Sequence, residues 1–358
     1  MYIILMAGGV GTRFWPRSRK AMPKQLLNIV GSKSMLQLTF ERIKPLTTPD
    51  KILIITNIEQ KIEIENQLPE IPKDNIIAEP MGRNTAPCIG LAGAIIQARE
   101  KSNTTMVVLP ADHLISDIEN FQQTIKVGAD YASENNCLIT LGIQPTYPET
   151  GYGYIQMDKL IFEKNGKQIF RVKTFAEKPH LETAQRFLES GDFLWNSGMF
   201  IWSVDFIMSE IDEYLPELGE DLIKVRKAYA TDKFEKVVAD VYSRTKSVSI
   251  DYGLLEESQN VCVVKSDFSW NDLGSWEAVY NISPKDKYGN VNNCEESILI
   301  NSKNNYLYSQ KKLLAAVDIE NLVVVEMNDS ILICRKDRSQ NVKSVVEYLT
   351  RKEMDKFL

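Results

Sequence analysis

The chain has 358 residues, 44% of them hydrophobic and 25% charged, a profile that suits one large globular α/β domain with an appendage. Its formal net charge of −6 excludes nucleic acid as the main partner, because a binding face needs a surplus of Lys and Arg. Only two histidines, His113 and His180, and five scattered cysteines exclude a ready zinc site or a Ser-His-Asp hydrolase, so any metal is expected to be a hard one held by carboxylates.

Tyr2 to Met6 is an apolar run that reads as a short strand buried on both faces. The turn Ala7-Gly8-Gly9-Val10-Gly11-Thr12 follows, with glycines where a Cβ would keep backbone N–H groups from converging on an anion. Arg13, Arg17, Arg19, Lys20 and Lys24 come next, with Pro16 and Pro23 stiffening the path, and this cluster is expected to face a triphosphate. A dinucleotide-binding turn is excluded by Phe14, which stands where a third glycine belongs, and a Walker loop by the lack of Gly-Lys-Ser/Thr. There is no membrane-length apolar run and no charged-then-apolar leader, so a cytoplasmic protein without membrane contact is expected.

Further on, helices are expected at Ser34 to Ile43, Glu59 to Leu68 and Pro87 to Lys101, alternating with apolar strands at Lys51 to Thr56, Asn75 to Ala78 and Thr105 to Leu109. That pace implies βαβ units and a mostly parallel, doubly wound sheet with sites at the carboxyl ends of its strands. Asp112, in Pro110-Ala111-Asp112-His113, stands at such an end, where it is either a helix cap or a ligand. Cys137 to Ile143 is a strand, and Thr150 to Ile155 a glycine-aromatic turn. Glu177-Lys178-Pro179 ends another strand, and Trp195-Asn196-Ser197-Gly198 opens the next. Val204 to Val241 is helical, broken by Pro216, and serves packing. Val261 to Val264 is a strand leading to Trp270-Asn271-Asp272-Leu273-Gly274, which is either an aromatic corner or a second ligand loop. Beyond Pro284 five short β segments recur between Ser297 and Cys334, followed by a terminal helix from Gln340 to Phe357. The cysteines are expected to be buried free thiols.

Gly9, Gly11, Arg13, Phe14, Pro16, Pro23 and Lys24 match G-x-G-x-R-[LF]-x-P followed by P-K, and the chain resembles the sugar-nucleotide pyrophosphorylases. Phe14-Trp15-Pro16, Pro23-Lys24-Gln25 and Glu79-Pro80-Met81-Gly82-Arg83-Asn84-Thr85-Ala86-Pro87 look most like the mannose-1-phosphate guanylyltransferases. The resemblance runs through separated motifs in order over roughly the first 280 residues. It implies a Rossmann-like, doubly wound mixed sheet in a nucleotidyltransferase domain over residues 1–283. A small β domain over residues 284–358 would follow, like a partial left-handed β-helix and ending in the helix. The chain ends too early for the cupin domain of bifunctional isomerase-guanylyltransferases, so isomerase activity is not expected.

The resemblance further implies that GTP and mannose 1-phosphate give GDP-mannose and pyrophosphate. Ala7, Gly8, Gly9, Gly11, Thr12, Arg13 and Lys24 would hold the nucleotide, and Asp112 and Asp272 one Mg²⁺. Tyr152, Gly153, Glu177, Lys178, Asn196 and Ser197 would surround the sugar phosphate. Arg13, Lys24, Asp112, Lys178 and Asp272 form the expected catalytic set, which needs no histidine because a sugar phosphate dianion is already a nucleophile. Glu79 is expected to accept the N1–H and 2-amino group of guanine while repelling the N1 lone pair of adenine, with Asn84 and Thr85 near the base or ribose; these two are also good helix-entry residues. Two alternatives stay open from sequence: another hexose 1-phosphate, and a non-catalytic sugar-nucleotide-binding relative. Exposed strands in the β appendage point to a homodimer through that domain.

Overall fold

The structure, a computed structural model, describes residues 1–9 and 11–358; Val10, one member of the expected glycine turn, lies outside the described residues. The amino half alternates β1 (Tyr2–Met6), α1 (Met35–Ile43), β2 (Ile52–Asn57), α2 (Lys61–Gln67), β3 (Ile76–Glu79), α3 (Thr85–Arg99) and β4 (Thr105–Pro110). Next come β5 (Leu114–Ile115), α4 (Ile118–Glu134), β6 (Leu138–Ile143), β7 (Gly153–Lys164), β8 (Lys167–Glu177), α5 (Leu181–Ser190) and β9 (Phe193–Ser203). Three helices, α6 (Val204–Tyr214), α7 (Pro216–Ala228) and α8 (Phe234–Arg244), precede β10 (Val261–Ser266), β11 (Trp270–Asn271) and α9 (Trp276–Ile282).

A nine-stranded sheet runs in the order β3-β2-β1-β4-β9-β6-β10-β8-β7. Strands β1 to β4 are mutually parallel and β6 is parallel to β10, whereas β9 lies antiparallel between β4 and β6 and the β7–β8 hairpin joins β10 antiparallel, so the doubly wound sheet is mixed as the resemblance implies and not mostly parallel as the pace of strands and helices suggested. Successive side chains of β1 enter opposite cores. Ile3 and Leu5 pack with Phe40 and Phe121 beneath α1 and α4, while Tyr2 and Ile4 pack with Ile89, Ile207 and Leu222 beneath α3, α6 and α7. Burying each such aliphatic side chain contributes about 1.5–3 kcal/mol, so this one strand anchors both cores.

Local chemistry sets the element ends. Ser34 and Gln37 form a reciprocal capping box at the start of α1. Helix α3 begins at Thr85, ahead of the expected Pro87, because Asn84 at φ 68° turns the chain and its side chain accepts from the Thr85 N–H at 2.9 Å. The expected helical stretch to Val241 is three helices, interrupted at Pro216 and again where Ala230 takes φ 59°. The long β7–β8 hairpin turns on Asn165-Gly166, both at positive φ, a hairpin signal that the sequence carries but that the expected turns did not include.

The carboxyl-terminal segment stacks short strands in parallel, as expected. β12 (Val291–Cys294), β14 (Tyr306–Ser309) and β16 (Leu322–Glu326) form one ladder, and β13 (Ser297–Ile300) and β15 (Leu314–Val317) a second. β17 (Ile331–Arg335) closes the first ladder antiparallel to β16. The terminal helix is shorter than expected: α10 spans Lys343–Arg351, and Glu353 at φ 55° ends it. Met354 N–H there donates to the Leu349 carbonyl and Glu353 N–H to that of Thr350, the bond pair of a Schellman stop. All five cysteines are free; Cys88, Cys137 and Cys262 are buried, but Cys294 and Cys334 are only half-buried, since the narrow stacked strands cover each side chain from fewer sides.

Candidate functional site

Strand β1 delivers the glycine turn to the sheet's carboxyl edge, and two glutamines shape it. Gln25 Nε2 donates to the carbonyls of Ala7 and Gly9, each at 2.8 Å, and Gln60 Nε2 to that of Gly9 at 3.2 Å. With these carbonyls engaged inward, no N–H of Gly8, Gly9 or Gly11 donates within the protein among the described residues, which leaves a cradle for phosphate oxygens. Gly11 has φ 58°, and a Cβ there would stand 2.7 Å from the Lys24 main-chain nitrogen, so the turn closes directly over the Lys24 backbone. Thr12 opens the short 3₁₀ turn Thr12–Phe14, whose Arg13 makes no side-chain hydrogen bond or ion pair among the described residues.

Asp112 and Asp272 are brought together by a two-stranded pairing. In it Leu114 of β5 faces Asn271 of β11, so the turns before one strand and after the other meet. Lys24 Nζ lies between them, 2.9 Å from Asp112 Oδ2 and donating to the Asp272 main-chain carbonyl. Burial alone would raise the Asp112 carboxyl, yet the neighbouring Lys24 ammonium, helped by His113, holds it below the usual carboxylate range. The Asp272 carboxylate accepts at Oδ1 from Tyr152 Oη at 2.7 Å and from the Gly274 N–H at 3.1 Å. Behind Asp112, His113 Nδ1 accepts from Trp270 Nε1 at 3.2 Å, which locks one aspartate turn to the other.

The same edge carries the expected sugar residues. Gly153 faces Glu177 across the β7–β8 ladder. A Cβ on Gly153 would stand 2.5 Å from Glu177 Oε2 and 3.4 Å from Asn196 Cβ, so these three residues share one corner and a side chain there would push the Glu177 carboxylate aside. Asn196 Nδ2 donates to Asp251 Oδ1 at 2.7 Å, and burial, with Glu177 nearby, pushes that carboxyl up. Lys178 is exposed at φ 46° and pairs with Glu177. Two of the expected sugar residues have other partners: the Tyr152 hydroxyl is on Asp272, and the buried Ser197 hydroxyl donates to the Leu141 carbonyl at 2.6 Å, a sheet brace.

At the end of β3, Glu79 is 7% exposed and its Oε2 lies beside Gly8, where a Cβ would come within 3.3 Å of it. Tyr242 Oη donates to Glu79 Oε1 at 2.9 Å, and burial pushes the carboxyl up to about 7. Thr85 Oγ1 accepts from the Ile250 N–H at 2.8 Å, so Asn84 and Thr85 together form the helix entry.

The basic cluster divides. Lys24 faces the site, but Arg17 contacts Asn28 and stacks 4.3 Å over the Tyr308 ring, Arg19 contacts Asp329, Ser330 and the Phe357 carbonyl, and Lys20 pairs with Asp355. Three of the five cations are therefore clamps between the signature loop and the carboxyl-terminal segment, a correction to their expected place around a triphosphate. The physical reason is that acidic and carbonyl partners more than 280 residues away fold back onto them, which neighbouring positions in the chain do not reveal. The residues that sequence reasoning missed, Gln25, Gln60, Tyr242 and Asp251, act through such long-range bonds. Gln25 carries a sequence signal in its place directly after Lys24, and Asp251 in the segment Ser249 to Glu256, which resembles the one that precedes the last sheet strand in the family.

The family model described as nucleotidyl transferase matches residues 2–288, which include every one of these side chains except the carboxyl-terminal clamps. The chain belongs to the nucleotidyl transferase family. A second model, described as a MannoseP isomerase/GMP-like beta-helix domain, matches residues 295–349, where the parallel ladders lie. Among relatives within the family, a mannose-1-phosphate guanylyltransferase of Salmonella montevideo is 41% identical over 96% of this chain and 73% of its own length. One from Klebsiella pneumoniae is 39% identical over 99% of this chain and 75% of its own. A solved structure from Thermus thermophilus, described as a mannose-1-phosphate geranyltransferase, superposes with a TM-score of 0.86 at 30% identity, covering 98% of this chain and 99% of that one.

Proposed function

We propose that this chain is a mannose-1-phosphate guanylyltransferase, transferring GMP from GTP to α-D-mannose 1-phosphate. A phosphate oxygen of the sugar forms a bond to the α-phosphorus, the bond from that phosphorus to the β-phosphate oxygen breaks, and pyrophosphate leaves. The observation that carries this reading is the meeting of Asp112, Asp272 and Lys24 beneath the glycine turn. No proton has to be removed from the nucleophile, in keeping with a site whose one histidine is engaged as an acceptor by Trp270.

The paired carboxylates suit Mg²⁺, which takes one or two protein carboxylates and completes its shell with phosphates and water. Among the described residues no group of three His, Cys, Asp or Glu is placed to hold a metal. Mg²⁺ would supply charge neutralisation of the triphosphate and the leaving pyrophosphate. The backbone of Ala7 to Thr12, with Arg13 and Lys24, takes the phosphates; Glu79 takes the guanine, with Asn84 and Thr85 beside the base or ribose. Gly153, Glu177, Lys178 and Asn196 take the sugar phosphate, with Tyr152 and Ser197 bracing the corner from behind.

The catalytic unit comprises residues 1–283 and the stacked-strand unit residues 284–358, in our division. A homodimer through the second unit is supported by Ile298, Ile300 and Val317, about half exposed on the β13–β15 face. Among the described residues no helix is long and apolar enough to cross a membrane, and the cytoplasm, where GTP is at hand, is the proposed compartment. Pyrophosphate release measured across the four nucleoside triphosphates and several hexose 1-phosphates tests the assignment. Turnover should be highest with GTP and mannose 1-phosphate; a clear preference for another pair would reassign the substrate.

A further inference from the structure

The segment from Glu79 to Arg83 holds one distant residue at both ends. Arg83 Nε donates to the Tyr242 carbonyl at 3.0 Å, while the Tyr242 hydroxyl donates to Glu79 Oε1 at 2.9 Å. Tyr242 is 1% exposed, sits on α8 outside all of the family motifs, and touches the carboxyl whose other oxygen lies beside Gly8. We propose that Tyr242 is a specificity-determining positioning residue: its phenol fixes Glu79 Oε1 and keeps the carboxyl an acceptor, so that Oε2 selects guanine over adenine. This rests on the reading of Glu79 as the base-selecting carboxylate.

The chemistry follows from hydrogen-bond valence. An ionised carboxyl only accepts, which matches the N1–H and 2-amino group of guanine. A neutral carboxyl has one donor and one acceptor, which matches the N1 lone pair and 6-amino group of adenine. The choice between purines is thus a choice between two states of one buried side chain. Burial favours the neutral state and would let adenine in; the Tyr242 hydroxyl is the group that opposes it. The titratable groups facing Glu79 are Tyr242 from α8 and Cys88 from α3, and burial pushes both far up, so both stay neutral and neither substitutes for a cation. Tyr242 consequently remains a donor throughout the working range, and Arg83 anchors its main-chain carbonyl.

The test is the specificity ratio, kcat/KM for GTP over kcat/KM for ATP, between pH 6 and 8.5 for the wild type, Tyr242→Phe and Glu79→Gln. Ionisation of the sugar phosphate and the triphosphate cancels in this ratio. The wild-type ratio should fall towards acid pH, and Tyr242→Phe should lower it about tenfold at neutral pH, the effect of one lost hydrogen bond to a charged group. The same variant should move the pH midpoint of the ratio upward and leave kcat at saturating GTP within about threefold at pH 8.5, a split that a merely structural role would not produce. A Tyr242→Phe ratio equal to wild type, with Glu79→Gln collapsed, overturns the role of Tyr242 and leaves Glu79 standing. An unchanged ratio in Glu79→Gln overturns the Glu79 reading itself. If Tyr242→Phe cannot be purified folded, a wild-type ratio flat across the pH range overturns the proposal.

Discussion

Lys24 Nζ lies 2.9 Å from the Asp112 carboxylate and also donates to the main-chain carbonyl of Asp272, so one ammonium joins two turns that stand 160 positions apart (272 − 112). The lysine is buried and engaged with the carboxylates' own loops. It therefore sets the spacing of the anionic pair as well as offering charge to a triphosphate.

Asp112→Asn and Asp272→Asn should each lower turnover by at least about a hundredfold, the scale of losing a charge placed to stabilise the transition state. Their stabilities should differ. Asp112→Asn leaves the buried Lys24 without its ion pair and should lose roughly 1–3 kcal/mol. Asp272→Asn keeps the main-chain acceptor and should melt close to wild type. Equal melting temperatures for the two variants would contradict the role given to Lys24.

Lys24→Ala and Lys178→Ala should separate the two substrates. Lys24 sits under the glycine turn, so its loss should raise KM for GTP, whereas Lys178 lies at the Gly153–Glu177 corner and its loss should raise KM for the hexose phosphate. Steady-state kinetics varying each substrate in turn read the split; identical changes towards both would contradict it.

Stability without nucleotide should depend on Glu79. Its carboxyl is pushed from an ordinary 4.5 up to about 7, so folding favours the protonated form. The resulting stabilisation is complete below pH 4.5 and is lost as pH rises to 7, amounting to about 3 kcal/mol at roughly 1.4 per unit. Glu79→Gln should therefore raise the melting temperature at pH 8 relative to wild type and change it little at pH 5. A larger gain at pH 5 would reverse the sign and refute the buried-carboxyl account.

Arg19→Ala should act on the nucleotide through the loop it anchors. Its partners Asp329, Ser330 and the Phe357 carbonyl all belong to the carboxyl-terminal segment, and Trp15 Nε1 shares the last of these at 2.9 Å. The Arg19–Asp329 pair is partly exposed, so global stability should fall by less than about 1 kcal/mol. KM for GTP should rise severalfold with kcat nearly constant. An unchanged KM would mean that the clamp is purely structural.

Much of the scaffold was legible because it is local. Apolar runs at Tyr2–Met6 and Thr105–Pro110 have no alternative to a sheet buried on both faces, and glycines at 8, 9 and 11 before Arg13 fit few purposes other than an anion turn. The illegible part is tertiary closure. Gln60 is an ordinary polar residue until the chain brings it, with Gln25, beneath Gly9, and Tyr242 is an ordinary helix residue until α8 packs on β3. Arg17, Arg19 and Lys20 misled for the opposite reason. Their proximity to Lys24 in sequence suggested one shared anion, whereas the turn that follows Trp15 points them at the distant carboxyl-terminal segment.

The most direct test follows the α-phosphorus. With GTP labelled at that atom, mannose 1-phosphate and Mg²⁺, the label should appear in GDP-mannose, with one unlabelled pyrophosphate released per sugar nucleotide formed. Label recovered as GMP or GDP, with no sugar nucleotide, would contradict guanylyl transfer at this site.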